Sequence, residues 1–166
     1  MDLCNWREQN WRRAAFSRLR MELAGIAFAR KHGFTPEDYA RHLWGQGAVE
    51  WMGKPDPTAA EYLMAEVEAF HRLYPSVRFE IEELSDDRSQ LTFQQGTCLG
   101  GWGVDQWGLA RRLGLGKGHV CRYCREAFRV WARQLGLEAC THPQMRDICI
   151  LRVERPPRRE GLAGEG

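Results

Sequence analysis

Between residues 6 and 31 the apolar positions Trp11, Ala15, Leu19, Leu23 and Ile26 recur at steps of three and four, and Arg30 continues the stripe. A stripe of that period is one face of an amphipathic helix, here predicted to end near Gly33, since glycine readily closes a helix in the left-handed conformation. The stretch "TPEDYARHLWGQGAVEW" predicts a second helix. Thr35 stands as its N-cap and Pro36 at its first position, and Glu37 and Asp38 lie where the positive end of a helix favours acids. "GKPDP" then breaks the chain. Thr58 and Glu61 have the spacing of a capping box, and Tyr62, Leu63, Val67, Phe70 and Tyr74 form a third apolar stripe that Pro75 stops.

From residue 77 the period changes to two. Val77, Phe79 and Ile81 alternate with Arg78, Glu80 and Glu82, "SDDRSQ" turns the chain, and Leu91, Phe93 and Gln95 alternate back. This predicts a hairpin with one buried face. Helices are predicted over about 104–113 and 119–135, parted by "GLGKG", whose glycines mark a C-cap and a turn. A last strand runs from Asp147 to Glu154 and has apolar residues on both faces, as a central strand does. The fold class is therefore α+β, with N-terminal helices packed on a small antiparallel sheet and a group of cysteines between the C-terminal helices and that sheet.

Length and composition add a frame. A chain of 166 residues, 43% hydrophobic and 28% charged, is expected to form one domain over 1–155. Within it, 1–55 is a helical part, 56–155 a cysteine-rich α+β core, and 156–166 a flexible Pro- and Gly-rich tail. A formal charge of +2 creates no field that calls for nucleic acid or an anionic membrane. The N-terminus is charged where a leader would be apolar, which predicts a cytoplasmic protein. The first helix combines Trp6 and Trp11 with Arg7, Arg12 and Arg13, and is expected to pack on the domain or to join two copies as a homodimer.

Five of the six cysteines lie between residues 98 and 149, and clustered thiols in a reducing compartment lean toward metal binding or thiol chemistry. Cys98 follows the hairpin, Cys121 and Cys124 share one face at the start of a helix, Cys140 falls in a predicted loop, "EACTHP", and Cys149 is on the last strand. With His142 they form a candidate ligand set for zinc, which four N or S donors hold tetrahedrally; an iron–sulfur cluster is the other group that such thiolates hold. Two readings stand beside it: a nucleophilic thiol activated by the helix N-terminus and nearby arginines, and simple packing of small buried side chains. Arg125, Arg129 and Arg133 recur every four residues, as a solvated helix face or as a grip for a ligand carboxylate. Asp105, between Trp102 and Trp107, is either a general base in an aromatic pocket or a helix cap.

The order "VRFEIEELSDDRSQLTFQQGTC", "LARRLGL", Cys121, "FRVWARQLGL" and "CTHPQMRDICILRV" resembles the L-2-amino-thiazoline-4-carboxylic acid hydrolase family over about residues 60–154. The resemblance rests on a cysteine after the hairpin, one between the helices and one entering the last strand: Cys98, Cys121 and Cys149. The same layout is similar to small-ligand sensor domains related to vinyl reductases, in which cysteines bind zinc beside a hydrophobic pocket. The first resemblance implies a hydrolase that opens a carboxylated heterocycle; on that reading Cys98, Cys121 and Asp105 are expected to be catalytic, and Arg125, Trp102 and Trp107 to hold the substrate. The second implies a non-catalytic, metal-braced module for a small ligand.

Overall fold

A computed structural model describes residues 3–74, 77–95, 106–144 and 148–157, and among them six α-helices and a four-stranded antiparallel sheet follow in the order α1 (Leu3–Lys31), α2 (Pro36–Trp44), α3 (Ala48–Met52), α4 (Ala59–Leu73), β1 (Phe79–Leu84), β2 (Arg88–Phe93), α5 (Gln106–Arg112), α6 (Lys117–Arg133), β3 (Glu138–Pro143) and β4 (Cys149–Glu154). The α+β class and the N-terminal helical layer are as expected. The tail beyond 157, Cys98, Trp102 and Asp105 lie outside the described residues.

Helix α1 buries the anticipated stripe Ala15, Leu19, Leu23 and Ile26, and Ala29 extends it. Trp11 and Arg30 stay at the surface and bond instead, Trp11 Nε1 to the Arg72 carbonyl and Arg30 Nη1 to the Gly114 carbonyl at 2.8 Å. Gly33, at φ 84°, ends the helix turn as its sequence position suggested. Both predicted caps form. The Thr35 side chain accepts from Asp38 N while the Asp38 carboxylate accepts from Thr35 N, and Thr58 and Glu61 repeat the exchange at the start of α4. The expected single second helix is two, because Gly47 sits at φ 95°, which an α-helix does not accommodate.

The sheet has the order β1-β2-β4-β3, so β4 is central as its sequence implied. Leu91 of β2 pairs with Leu151 of β4, which pairs with Thr141 of β3, and all three face the helices and are buried. "EACTHP" is not a loop but edge strand β3, where only Ala139 and Thr141 are buried and too few apolar positions alternate to announce a strand. Helix α6 packs most extensively on α2 and β3. Buried side chains gather in two groups. One joins α4, the sheet and the end of α6 around Tyr62, Leu63, Leu91 and Leu151; the other joins α1, α2, α5 and the start of α6 around Leu23, Ile26, Leu115 and Val120. No helix among the described residues is long and apolar enough to cross a membrane.

Candidate functional site

A cavity of about 340 Å³ takes its lining from both groups. Helix periodicity builds it: Leu19, Glu22, Leu23 and Ile26 from α1, Glu66, Ala69, Phe70 and Leu73 from α4, and Tyr123, Cys124, Ala127 and Trp131 from α6 recur at steps of three and four and turn one face of each helix to the same space. Trp44 closes α2 and Trp51 lies on α3, while the strands add Phe93, Thr141 and Cys149. Most of this wall is apolar, and much of it aromatic. Trp44 and Trp131 meet edge to face with ring centres 5.3 Å apart, Trp51 lies 5.8 Å from Trp131, and Phe70 contacts Phe93 at 5.3 Å and Phe128 at 6.0 Å. Such pairs favour these geometries because a positive ring edge meets a negative ring face.

Among the described residues, few polar groups interrupt the wall. Trp44 Nε1 donates to the Tyr123 hydroxyl at 2.8 Å, which satisfies the indole and fixes both rings. The Tyr74 hydroxyl donates to Glu22 Oε2 at 3.0 Å, and Arg18 Nη2 lies 3.7 Å from Glu22 Oε1. Burial raises the Glu22 pKa, and the Arg18 charge and the Tyr74 bond oppose that rise. The Arg18 guanidinium also lies 6.0 Å from the centre of the Trp44 ring, and its Nε is buried without a hydrogen-bond partner among the described residues. Glu66 differs. It is 8% exposed, lines the cavity, and has no ion-pairing cation among the described residues. Burial pushes its carboxyl up to about 7. The fully buried Tyr62 hydroxyl, one turn back on α4, tempers that rise but falls short of a well-directed hydrogen bond.

The metal site expected of Cys121, Cys124, Cys140, Cys149 and His142 is not formed, since the described residues contain no group of three or more His, Cys, Asp or Glu able to hold a metal ion. Strand alternation is the reason. Cys140 and His142 pair with Arg152 and Ile150 on the outer face of the sheet, where Cys140 Sγ lies 3.0 Å from His142 Nε2, whereas Cys149 shares the inner face with Leu151 and Val153. Zinc binding and a metal-activated hydrolase are corrected accordingly. Cys121 and Cys124 are half-buried on α6, and of the two only Cys124 reaches the cavity. Burial pushes the Cys149 thiol up to about 11 and raises that of Cys140. Arg125 is exposed on α6 away from the cavity. Trp107 packs on the α1–α2–α5 core, with Lys117 Nζ 5.9 Å from its ring centre.

The polar residues of the cavity were legible in one respect that the cysteines obscured. Glu66 falls within the apolar run Tyr62, Leu63, Val67 and Phe70, and Glu22 within Leu19, Leu23 and Ile26. A carboxylate at a core-facing position has to be paired, protonated or used. No family model, curated protein or solved structure matches this chain.

Proposed function

We propose that the protein is a binding module for a small, largely apolar molecule, and that the cavity between α1, α4, α6 and the sheet receives it. The observation that carries this reading is a cleft of about 340 Å³ lined largely by aromatic and aliphatic side chains, with only a few convergent polar groups among the described residues. That volume is at the lower end of the range for small-molecule sites, which suits a ligand of one or two rings. A partly open apolar cleft of this size leaves its walls against water, and a ligand would replace that water with dispersion contacts. Binding is favoured over catalysis at the Cys149 thiol because that group, pushed up to about 11, is overwhelmingly protonated at neutral pH and a weak nucleophile.

The test uses 1-naphthylmethanol, an uncharged two-ring probe, followed by calorimetry and by the shift in melting temperature. Saturable binding with one site per chain and a raised Tm are expected. Ala127→Phe, which places a ring in the cavity from α6, should abolish both while the variant itself melts no lower than the parent. Binding that survives Ala127→Phe would place the probe elsewhere and reject the proposal.

A further inference from the structure

We infer that the molecule this cavity receives carries a positively charged amine, and that Glu66 is its counter-ion. The inference rests on the cavity being a ligand site, and it specifies the chemistry of that ligand.

Charge balance within the wall is the first argument. Arg18 and Glu22 lie 3.7 Å apart and neutralise one another, with the Tyr74 hydroxyl bonded to the same carboxylate. Glu66 is left over, nearly excluded from water, bordering the cavity, and without a cation among the described residues. Its neighbour on α4, the Tyr62 hydroxyl, is fully buried and likewise lacks a well-formed hydrogen bond. Two buried polar groups short of partners at one place cost stability unless a further group meets them. An alkylammonium supplies what is missing, having donors, no acceptor and one positive charge.

The aromatic wall is the second argument. Ring faces carry negative potential and attract cations, most strongly at tryptophan. Trp51 and Trp131 line the same cavity as Glu66, while Trp44 already has the Arg18 guanidinium over its ring. A cation entering this space meets a carboxyl and indole faces at once. A ligand carboxylate would instead face Glu66 and compete with Glu22 for Arg18, of which only Nε lacks a partner among the described residues.

The titratable groups that line the cavity with this carboxyl are Arg18 and Glu22 from α1, Tyr74 just past α4, Tyr123 and Cys124 from α6, and Cys149 from β4, while Tyr62 lies beside it on α4. The three tyrosines and Cys149 are raised by burial and stay protonated near neutrality. Glu66, at about 7 in the empty cavity, is largely neutral at pH 6. An ammonium favours the ionised carboxylate, so its binding must expel a proton below pH 7, and its affinity must climb as pH rises through 7 and then level.

The experiment compares three probes of one shape, 1-naphthylmethylamine, 1-naphthylmethanol and 1-naphthoate, by calorimetry on the full chain. At pH 8 the amine is expected to bind about tenfold or more tightly than the alcohol, with the carboxylate weakest. In Glu66→Gln that preference should fall to within about twofold, a near-isosteric change that removes the charge and keeps the shape. At pH 6, heats measured in buffers of different ionisation enthalpy should reveal up to about one proton released per amine bound, none per alcohol, and none in Glu66→Gln. Equal binding of amine and alcohol, or a preference lost in Glu22→Gln and kept in Glu66→Gln, would overturn the assignment while the apolar-ligand reading stands. Tightest binding of the naphthoate would overturn it in favour of Arg18. Failure of all three probes would remove the ligand site and this inference together.

Discussion

The hydroxyl of Tyr74, the residue that caps the end of α4, donates a 3.0 Å hydrogen bond to Glu22 Oε2 of α1, joining two of the helices that line the cavity. Burial pushes the Glu22 carboxyl up, and the Tyr74 bond works against that rise by favouring the ionised form. Tyr74→Phe is therefore expected to cost about 1–2 kcal/mol at pH 8, where a charged acceptor loses its donor. The cost should shrink as pH falls from 8 toward 5, in the direction that protonates Glu22 and removes the need for charge-assisted bonding. Urea midpoints of parent and variant at the two pH values check this; a penalty equal at both would mean that only packing was lost.

A second carboxylate works in the opposite direction. Glu126 of α6 accepts from Arg129 on its own helix, with Nε at 2.7 Å from Oε2, and from Arg41 Nη1 of α2 at 2.7 Å, so it ties α2 to α6. The Arg129 bonds first, opposed by burial and aided by Arg41, hold its carboxyl down to about 2. A lowered folded-state value means that this stabilisation is full above the unfolded value of about 4.3 and fades as pH falls toward 2. Arg41 is half exposed, which discounts its share. Glu126→Gln is expected to cost about 1–2 kcal/mol at pH 6 and clearly less at pH 3, as measured by chemical denaturation. A penalty that grows on acidification would refute the sign.

Helices α1, α2 and α4 were legible because the Thr35 and Thr58 caps and the stripes through Ala15 and Tyr62 need no tertiary information, whereas the break at Gly47 that makes α3 a separate helix was not. Strand β4 was legible because a central strand is apolar on both faces. Strand β3 was not, since Ala139 and Thr141 are its only buried positions and pairing with β4 holds it. The same register explains the misplaced metal site. Spacing along the chain showed that Cys140, His142 and Cys149 were near one another, but not that Cys149 faces inward and the other two outward. The cavity is harder still to read, because Glu22, Glu66 and Trp131 come from three helices far apart in sequence and meet only on packing.

Gly25 of α1 offers a test of that packing. A Cβ there would lie 2.1 Å from the Tyr39 hydroxyl oxygen and 2.5 Å from the ring carbon bearing it. Tyr39 is stacked on Tyr123, with centres 5.7 Å apart and planes at 24°, so it cannot swing aside without leaving that ring. Alanine would gain about 1 kcal/mol in helix propensity, and the clash opposes this with about 1–3 kcal/mol. Gly25→Ala is expected to lower Tm, and Gly25→Ala combined with Tyr39→Ala to lower it by less than the two separate losses added together. A single variant more stable than the parent would show that α2 yields at this contact.

Thiol reactivity separates packing from chemistry at the cysteines. Cys149 lies on the inner face of β4 at the cavity wall, with its thiol pushed up to about 11 mainly by burial. At pH 7 the thiolate fraction of such a group is about one part in ten thousand, and the thiolate is the species that alkylates. Cys4, near the start of α1, is exposed. Iodoacetamide at pH 7 followed by mass mapping is therefore expected to modify Cys4 well ahead of Cys149, with Cys149 reacting at the rate of ordinary cysteine only in denaturant. Saturating 1-naphthylmethanol should slow Cys149 further, since the probe would occupy the space through which the reagent reaches it, and leave Cys4 as before. Rapid labelling of Cys149 in the folded chain would show a thiol activated by surroundings other than the apolar ones around it, and would return this strand to consideration as a nucleophilic site.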